Sequence, residues 1–439
     1  MISILPNIIF SFLLIISIGF FSFNIKKLIK VIKLGKPVDR FDNPSKRLSN
    51  MIRIALGQSK MVTKPVSGIL HVVVYLGFII INIEVLEIII DGLTGSHRFF
   101  SKIFNISVYN FLIASFEILA LLVLISVIVF WTRRNIVKIK RFLSSEMKGW
   151  PKFDADNILY FEVVLMLLFL SMNATDLILQ ERNYENYYVA GSFPVSTFLV
   201  PLFDSFTTST VYQLERIFWW SHIIGIFFFL NYLYYSKHLH ILLAFPNTYF
   251  ANLEDKGKFN VLESVKNEVL LMFYPEKASQ NNQNIDKFGA SDVLDLNWVQ
   301  LMNAYSCTEC GRCTSECPAN ITGKKLSPRK IMMDTRDRLE KVSKNISINK
   351  GEFIDDGDRL LDNYISKEEL WACTSCNACV EACPINIDPL SIIMDMRQYL
   401  IMEESSAHPD LNNMMNNIEN NGAPWPYNQQ DRELWIQET

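Results

Sequence analysis

From Met1 to Asn24 the chain carries no charged side chain, and about twenty apolar residues suffice to cross a bilayer as a helix. A signal peptide would need a basic start and a small-residue cleavage site, and both are missing, so the run reads as a retained first helix. Further apolar runs extend over Val66–Ile90, Ile106–Trp131, Ile158–Leu179 and Ile217–Tyr235. Each is long enough to span, which predicts five transmembrane helices. Lysine and arginine collect between Lys26 and Lys64 and again from Arg133 to Arg141, whereas Asp91–Asn105 holds only Arg98 and Lys102 and Gln180–Gln213 only Arg182. Cytoplasmic loops are enriched in these bases. The pattern therefore predicts an N-terminus outside and everything after about Lys237 in the cytoplasm.

Beyond the last run the character changes. Asn252–Asp292 is polar, with the Asn/Gln-rich piece Ser279–Asn284, and reads as a linker. Helical periodicity returns over Val293–Tyr305 and Ser327–Leu339. The segment past Glu404 lacks periodicity and is expected to be extended or partner-bound. The expected division is a membrane domain over 1–245, a linker over 246–292, a helical domain over 293–403 and an extended tail over 404–439. Half of the 439 residues are hydrophobic and mean hydropathy is +0.16, which agrees with a membrane part. The net charge of −3 names no partner, and no nucleic acid is expected.

All eight cysteines lie between Cys307 and Cys383, so none remains for a disulfide framework. Cys307-x2-Cys310-x2-Cys313-x3-Cys317-Pro318 recurs as Cys373-x2-Cys376-x2-Cys379-x3-Cys383-Pro384. Three thiolates at two-residue steps supply three corners of a [4Fe–4S] cubane, and in two-cluster proteins with this run the fourth cysteine ligates the other cluster. This assigns Cys307, Cys310, Cys313 and Cys383 to a first cluster, and Cys373, Cys376, Cys379 and Cys317 to a second. Structural zinc normally uses separated pairs and leaves the extra cysteines without a role. Two fully ligated clusters in series argue for electron relay.

His71, His222, His238 and His240 lie in or beside the apolar runs, where a histidine is costly and functional by default. Haem b needs two facing imidazoles at one depth. His71 and His240 both fall near cytoplasmic ends and are the favoured pair, with His238 able to replace His240. His222, 18 residues before His240, lies about 27 Å away along a continuous helix. A second haem, a quinone contact and an interfacial side chain are all open for it. His97 and His408 are expected to be solvated. Glu84, Glu87, Glu117, Glu162 and Asp176 fall within the spans, and either exchange protons with a quinone or mark helix ends at the interface. No dinucleotide fingerprint and no phosphate-binding loop is present, hence no visible place for NADH or a nucleotide.

Ser306-Cys307-Thr308-Glu309-Cys310-Gly311-Arg312-Cys313, Cys317-Pro318-Ala319, Thr322-Gly323-Lys324 and Trp371-Ala372-Cys373-Thr374 resemble the ferredoxin-like subunit of heterodisulfide reductase. His71 and the His222/His240 interval resemble the nitrate reductase gamma subunit. Together they resemble the electron-transfer flavoprotein:methylmenaquinone oxidoreductase family. The gamma subunit has a second histidine where this chain has Ile81, so one haem is carried over. The family typically continues into CCG domains that this chain lacks, which implies a separate CCG-domain protein similar to the CCG-domain subunit of heterodisulfide reductase as a partner; the resemblance also offers an electron-transfer flavoprotein as a partner, and the sequence does not name the donor. The reading is a mainly α chain: a five-helix transmembrane bundle followed by an α-helical two-[4Fe–4S] ferredoxin-like domain. It would serve a quinone oxidoreductase of the inner membrane, passing electrons from a cytoplasmic donor through both clusters and haem b to menaquinone. The competing class is a membrane anchor and ferredoxin relay for a separate redox subunit.

Overall fold

The computed structural model describes residues 4–255, 257–258, 263–277 and 287–437; the Asn/Gln-rich piece at 279–284 lies outside them. The mainly α fold is as expected, with only isolated bridges among the described residues. Five helices are long and apolar enough to cross a membrane: α1 (Leu5–Ile32), α2 (Pro65–Thr94), α3 (Ile106–Asn135), α4 (Trp150–Glu181) and α5 (Thr208–Tyr232). Helices α1 to α4 outrun their apolar stretches because polar flanks continue the hydrogen-bond ladder, and α5 starts nine residues before its apolar run. Asn105 and Thr207 cap α3 and α5 by accepting from Ser107 N and Thr210 N, and Gly95 closes α2 at φ +73°.

Helices α2 to α5 pack in chain order, and α1 lies across α2 and α5. Only 17% of the α1 span is buried, against 44% for α4, so α1 is peripheral and turns Ile15 and Phe12 outward. Lipid gives no hydrophobic drive for helices to associate, so close approach matters. Gly77 on α2 admits the Val123 side chain of α3, and Gly92 admits the Phe10 ring of α1; an added Cβ would meet them at 2.5 and 2.6 Å.

The fifth span does not run on to His240. After Tyr232 the chain tightens over Leu233–Tyr235 and becomes extended at Ser236 (φ −114°, ψ 155°). Ser236 Oγ accepts from His238 N at 3.1 Å and Asp154 of α4 accepts from Lys237 N at 3.0 Å. A new helix, α6 (His240–Tyr249), begins there. The expectation of a continuous helix between His222 and His240, and of a 27 Å separation along it, is corrected accordingly.

The C-terminal part builds its own core around α7 (Trp298–Ser306), α8 (Pro328–Ile348) and α9 (Pro389–Met402), with Leu301, Ile331, Leu339, Ile392 and Met396 fully buried. It sits on the loops that follow α1, α3 and α5. Leu28, Ile32, Leu239, Leu243, Val299 and Met302 form a joint apolar cluster, Trp298 Nε1 donates to Val38 O at 3.0 Å, and Asn247 Nδ2 donates to Ile385 O at 2.7 Å. The two basic loops therefore share one side with the cysteine domain. Two expectations of unstructured chain fail. A helix over Glu263–Phe273 falls in the expected linker. In the expected extended tail, Pro409–Asn421 is helical, capped by His408 and closed by Gly422 at φ +67°.

The far end of the bundle is locked by a buried polar network. Arg98 reaches inward from its loop, donates from Nε to Asp176 Oδ2 at 2.6 Å and from Nη2 to Asn173 Oδ1 at 2.9 Å, and lies 3.9 Å from Glu84. Asn173 donates on to Glu117, whose other oxygen accepts from Val195 N at 2.8 Å. Glu87 accepts from Phe100 N at 2.7 Å. His97 is not solvated: its Nε2 lies 3.3 Å from Asp176 and its ring packs on Tyr187. Glu84, Glu87, Glu117 and Asp176 are thus interior partners rather than ends reaching the interface; Glu162 is half-buried with no ion-pair partner among the described residues. Removing one side of a buried pair costs about 3–5 kcal/mol. Arg98→Ala should lower the thermal unfolding midpoint in detergent accordingly, and a change below about 1 kcal/mol would contradict this lock.

Candidate iron–sulfur and histidine site

The two cysteine motifs repeat in conformation as well as in spacing. Glu309 (φ +56°) and Gly311 (φ +72°) in the first match Ser375 (φ +57°) and Asn377 (φ +61°) in the second, at identical offsets from Cys307 and Cys373. These left-handed residues wrap each loop around a centre. At Gly311 the turn also presses on a neighbour, since an added Cβ would meet Arg329 Nη1 at 2.6 Å.

Cys383 of the second motif lies with the cysteines of the first. Cys307, Cys310, Cys313, Cys379 and Cys383 line one cavity together with Arg329, Met332 and Ile387. Cys317 instead neighbours Cys373 and Cys379 electrostatically. Among the described residues no three His, Cys, Asp or Glu side chains converge on a point that could hold a lone ion. Tetrahedral zinc would need its sulfurs about 3.8 Å apart, whereas thiols spread around a cavity suit a cubane. Burial pushes the Cys307 thiol up to about 12 and the Cys383 thiol up to about 11. Such thiols stay protonated in water at neutral pH, so becoming ligands requires the positive charge that iron supplies. The donor set therefore fits two clusters. Of the eight cysteines only Cys376 is exposed.

His71 of α2 faces His240 of α6, with ring centres 6.5 Å apart. Two imidazole nitrogens each about 2 Å from a shared iron put the ring centres roughly 6 Å apart. His240 Nδ1 lies 3.0 Å from Lys237 O, which can only accept, so Nδ1 carries the proton and Nε2 keeps its lone pair. His71 Nδ1 and His238 Nδ1 are buried without a partner. His238 lies 5.6 Å from His240, also ring to ring. The spacing of the two rings fits what a pair of axial histidines would need. His222 is buried on α5 beside Phe169, with Nδ1 unpartnered, and among the described residues no second histidine ring contacts it.

The first motif sits directly over these histidines. The buried Glu309 accepts from Lys237 Nζ at 2.5 Å, next to His238, and from Arg336 at 2.8 Å. Burial alone would raise its pKa; Lys237 and Arg336 hold it below the usual carboxylate range. Arg312 donates to Lys60 O at 3.0 Å, Met61 O at 3.1 Å and Ser67 Oγ at 3.5 Å, and Ser67 is one helical turn before His71. Glu309, Arg312, Lys237 and Arg329 escaped the sequence reading. Their only trace was charge at non-cysteine positions in and around the motif.

Five apolar helices joined to a domain with two repeated cysteine motifs define a membrane-bound iron–sulfur electron-transfer protein. A family described as a 4Fe-4S dicluster domain matches residues 306–387. The chain is similar to the probable iron-sulfur-binding oxidoreductase FadF of Bacillus subtilis, 29% identical over 95% of this chain and 59% of the relative. It is similar to the EtfAB:quinone oxidoreductase of Syntrophomonas wolfei, 24% identical over 97% of this chain and 59% of the relative. One subunit of the ferredoxin/F(420)H(2)-dependent CoB-CoM heterodisulfide reductase of Methanosarcina acetivorans is 29% identical over 26% of this chain and 56% of its own. The resemblance read from the sequence, to a heterodisulfide reductase subunit and to electron-transfer flavoprotein oxidoreductases, is borne out. The chain spans 59% of the length of the first two relatives. No solved structure matches it.

Crossed ligation has a direct consequence. Cys317→Ser should damage the cluster of Cys373, Cys376 and Cys379, and Cys383→Ser that of Cys307, Cys310 and Cys313. Iron content and low-temperature spectroscopy of each variant check this; loss of the variant's own motif cluster with the other intact would contradict it.

Proposed function

We propose that the chain is the electron-transfer subunit of a membrane quinone oxidoreductase, passing electrons from a cytoplasmic donor through two [4Fe–4S] clusters and one haem b to menaquinone. The observation that carries this reading is the seating of the first cysteine motif on the two segments that present His71 and His240. Cys307, Cys310, Cys313 and Cys383 would hold one cluster, Cys317, Cys373, Cys376 and Cys379 the other, and His71 and His240 the haem. When bound, these groups supply one-electron chemistry, and the protein supplies position, ligation and dielectric. Glu309, Lys237, Arg336 and Arg312 fix the distance between the domain and the histidines. His222 has no partner of its own kind among the described residues, which supports a single haem and leaves His222 for a polar contact to a quinone.

The basic loops share a side with the cysteine domain, which supports placing both in the cytoplasm of an inner-membrane protein with its N-terminus outside. The donor is a protein, because Cys376 offers an exposed edge while neither a nucleotide fingerprint nor an open ligand position is visible. Relatives named for electron-transfer flavoprotein and for heterodisulfide reductase favour such a flavoprotein, or a protein similar to the CCG-domain subunit of heterodisulfide reductase. Trp425, Tyr427 and Trp435 are exposed near the C-terminus and suit a protein interface.

His71→Ala and His240→Ala should each abolish the same b-type absorption, because losing either axial ligand opens the same iron. His238→Ala should have a weaker effect. A b-type signal that survives His71→Ala would refute the pairing.

A further inference from the structure

Each cysteine motif leads into a helix that opens in the same way, with a capping side chain followed by proline. Ser327-Pro328-Arg329 opens α8, where Ser327 Oγ accepts from Lys330 N at 3.4 Å. Asp388-Pro389-Leu390 opens α9, where Asp388 Oδ1 accepts from Ser391 N at 3.0 Å. The conformation repeats, but the charge does not. Where the first copy has a neutral cap and then a cation, the second has an anion and then a leucine.

The two charges act on different cysteines, although Ile387 and Pro389 on either side of Asp388 border the first cavity as well. Arg329 is fully buried and lines the cavity of Cys307, Cys310, Cys313 and Cys383. Its Nη1 donates to Arg141 O at 2.7 Å, and its Nη2 to Glu146 at 2.7 Å and to Ser144. Its Nε has no partner. A buried N–H donor without an acceptor is costly, and the sulfurs of a cluster in that cavity are acceptors of the right kind. Arg141, itself with an unpartnered buried Nε, neighbours Cys310. Arg312 next to Cys313 donates only to neutral groups. Of the acids on this side, Glu309 is matched by Lys237 and Arg336 and Glu146 by Arg329, which leaves Arg141 and Arg312 as the cations without a carboxylate partner among the described residues. On the other side Asp388 neighbours Cys379 and has Arg40 as its cation, while Arg397 donates to Cys373 O and stacks on Trp371.

We propose that this opposite charging makes the cluster of Cys307, Cys310, Cys313 and Cys383 the stronger electron acceptor of the two, so that electrons entering at Cys376 run toward His71 and His240. The proposal rests on reading the eight cysteines as two clusters. Reduction adds one negative charge to a cluster, so nearby cations and N–H donors favour the reduced form and a carboxylate opposes it. Water at Cys376 works the other way at one corner, but water screens, whereas Arg329 acts from a dry interior. Each transfer moves one electron. The second cluster is oxidised by one as the first is reduced by one, and a one-electron protein donor restores the second; no bond or proton is exchanged.

An anaerobic redox titration of the full-length chain in detergent, followed by low-temperature electron paramagnetic resonance, tests this. Two midpoints should separate so that the first electron favours one cluster at least tenfold, which is 59 mV for one electron. Arg329→Gln should lower the upper midpoint and leave the lower one. Asp388→Asn keeps a good cap and should raise the lower midpoint and leave the upper one. Arg329→Gln moving the lower midpoint, Asp388→Asn moving the upper one, or neither variant moving either, would overturn the proposal. If Arg329→Gln fails to retain the iron of two cubanes, Asp388→Asn decides alone. A wild-type chain without two cubanes would instead refute the cluster reading on which the proposal stands.

Discussion

The contact on which the rest depends is the burial of Glu309 between Lys237 and Arg336. A carboxylate removed from water needs partners, and these come from two places: the break after the fifth span and the helix behind the first cysteine motif. Glu309 therefore ties the cysteine domain to the segment that carries His238 and His240. Arg312 makes the matching tie to the start of α2, one turn before His71. Two side chains inside one short loop thus set the geometry between the candidate cluster site and the candidate haem site.

The helix break serves the same end. A fifth helix continued to His240 would carry that histidine further along the α5 axis and away from its place opposite His71. The extended Ser236, its bond to His238 N and the capture of Lys237 N by Asp154 turn the chain so that α6 starts with His240 in place. The carbonyl of Lys237 then fixes the His240 tautomer. At the opposite end of the bundle Arg98 gathers carboxylates from two helices, Asp176 of α4 and Glu84 of α2, and reaches Glu117 of α3 through Asn173. His71 and Glu84 are 13 residues apart on α2, roughly 20 Å along a helix, so this network holds the helix ends at a different depth from the histidine pair.

What the sequence displays follows from what each environment demands of consecutive residues. Lipid requires unbroken apolar runs, so the five spans were legible. A cubane requires thiolates at fixed short spacings, so the two motifs were legible too, and His71 and His240 stood out because histidine is rare at such positions. Long-range polar partnerships leave no local trace. Arg98 looked like a loop residue and His97 a solvated one, although both are drawn inward by Asp176, almost 80 residues later by sequence count. The break before His240 depends on Asp154 of another helix. The helix Pro409–Asn421 was in principle readable from His408-Pro409 at its start and Gly422 at its end, but its polar face hid the periodicity.

The central claim is that the chain itself connects a low-potential protein donor to quinone. It is tested most directly by mixing the purified, fully loaded chain with a menaquinone analogue and either an artificial low-potential one-electron donor or NADH. The account predicts that the artificial donor reduces the b-type haem and then the quinone, while NADH does neither. Sustained NADH-driven quinone reduction, or quinone reduction by the artificial donor in a chain that shows no b-type absorption, would contradict it.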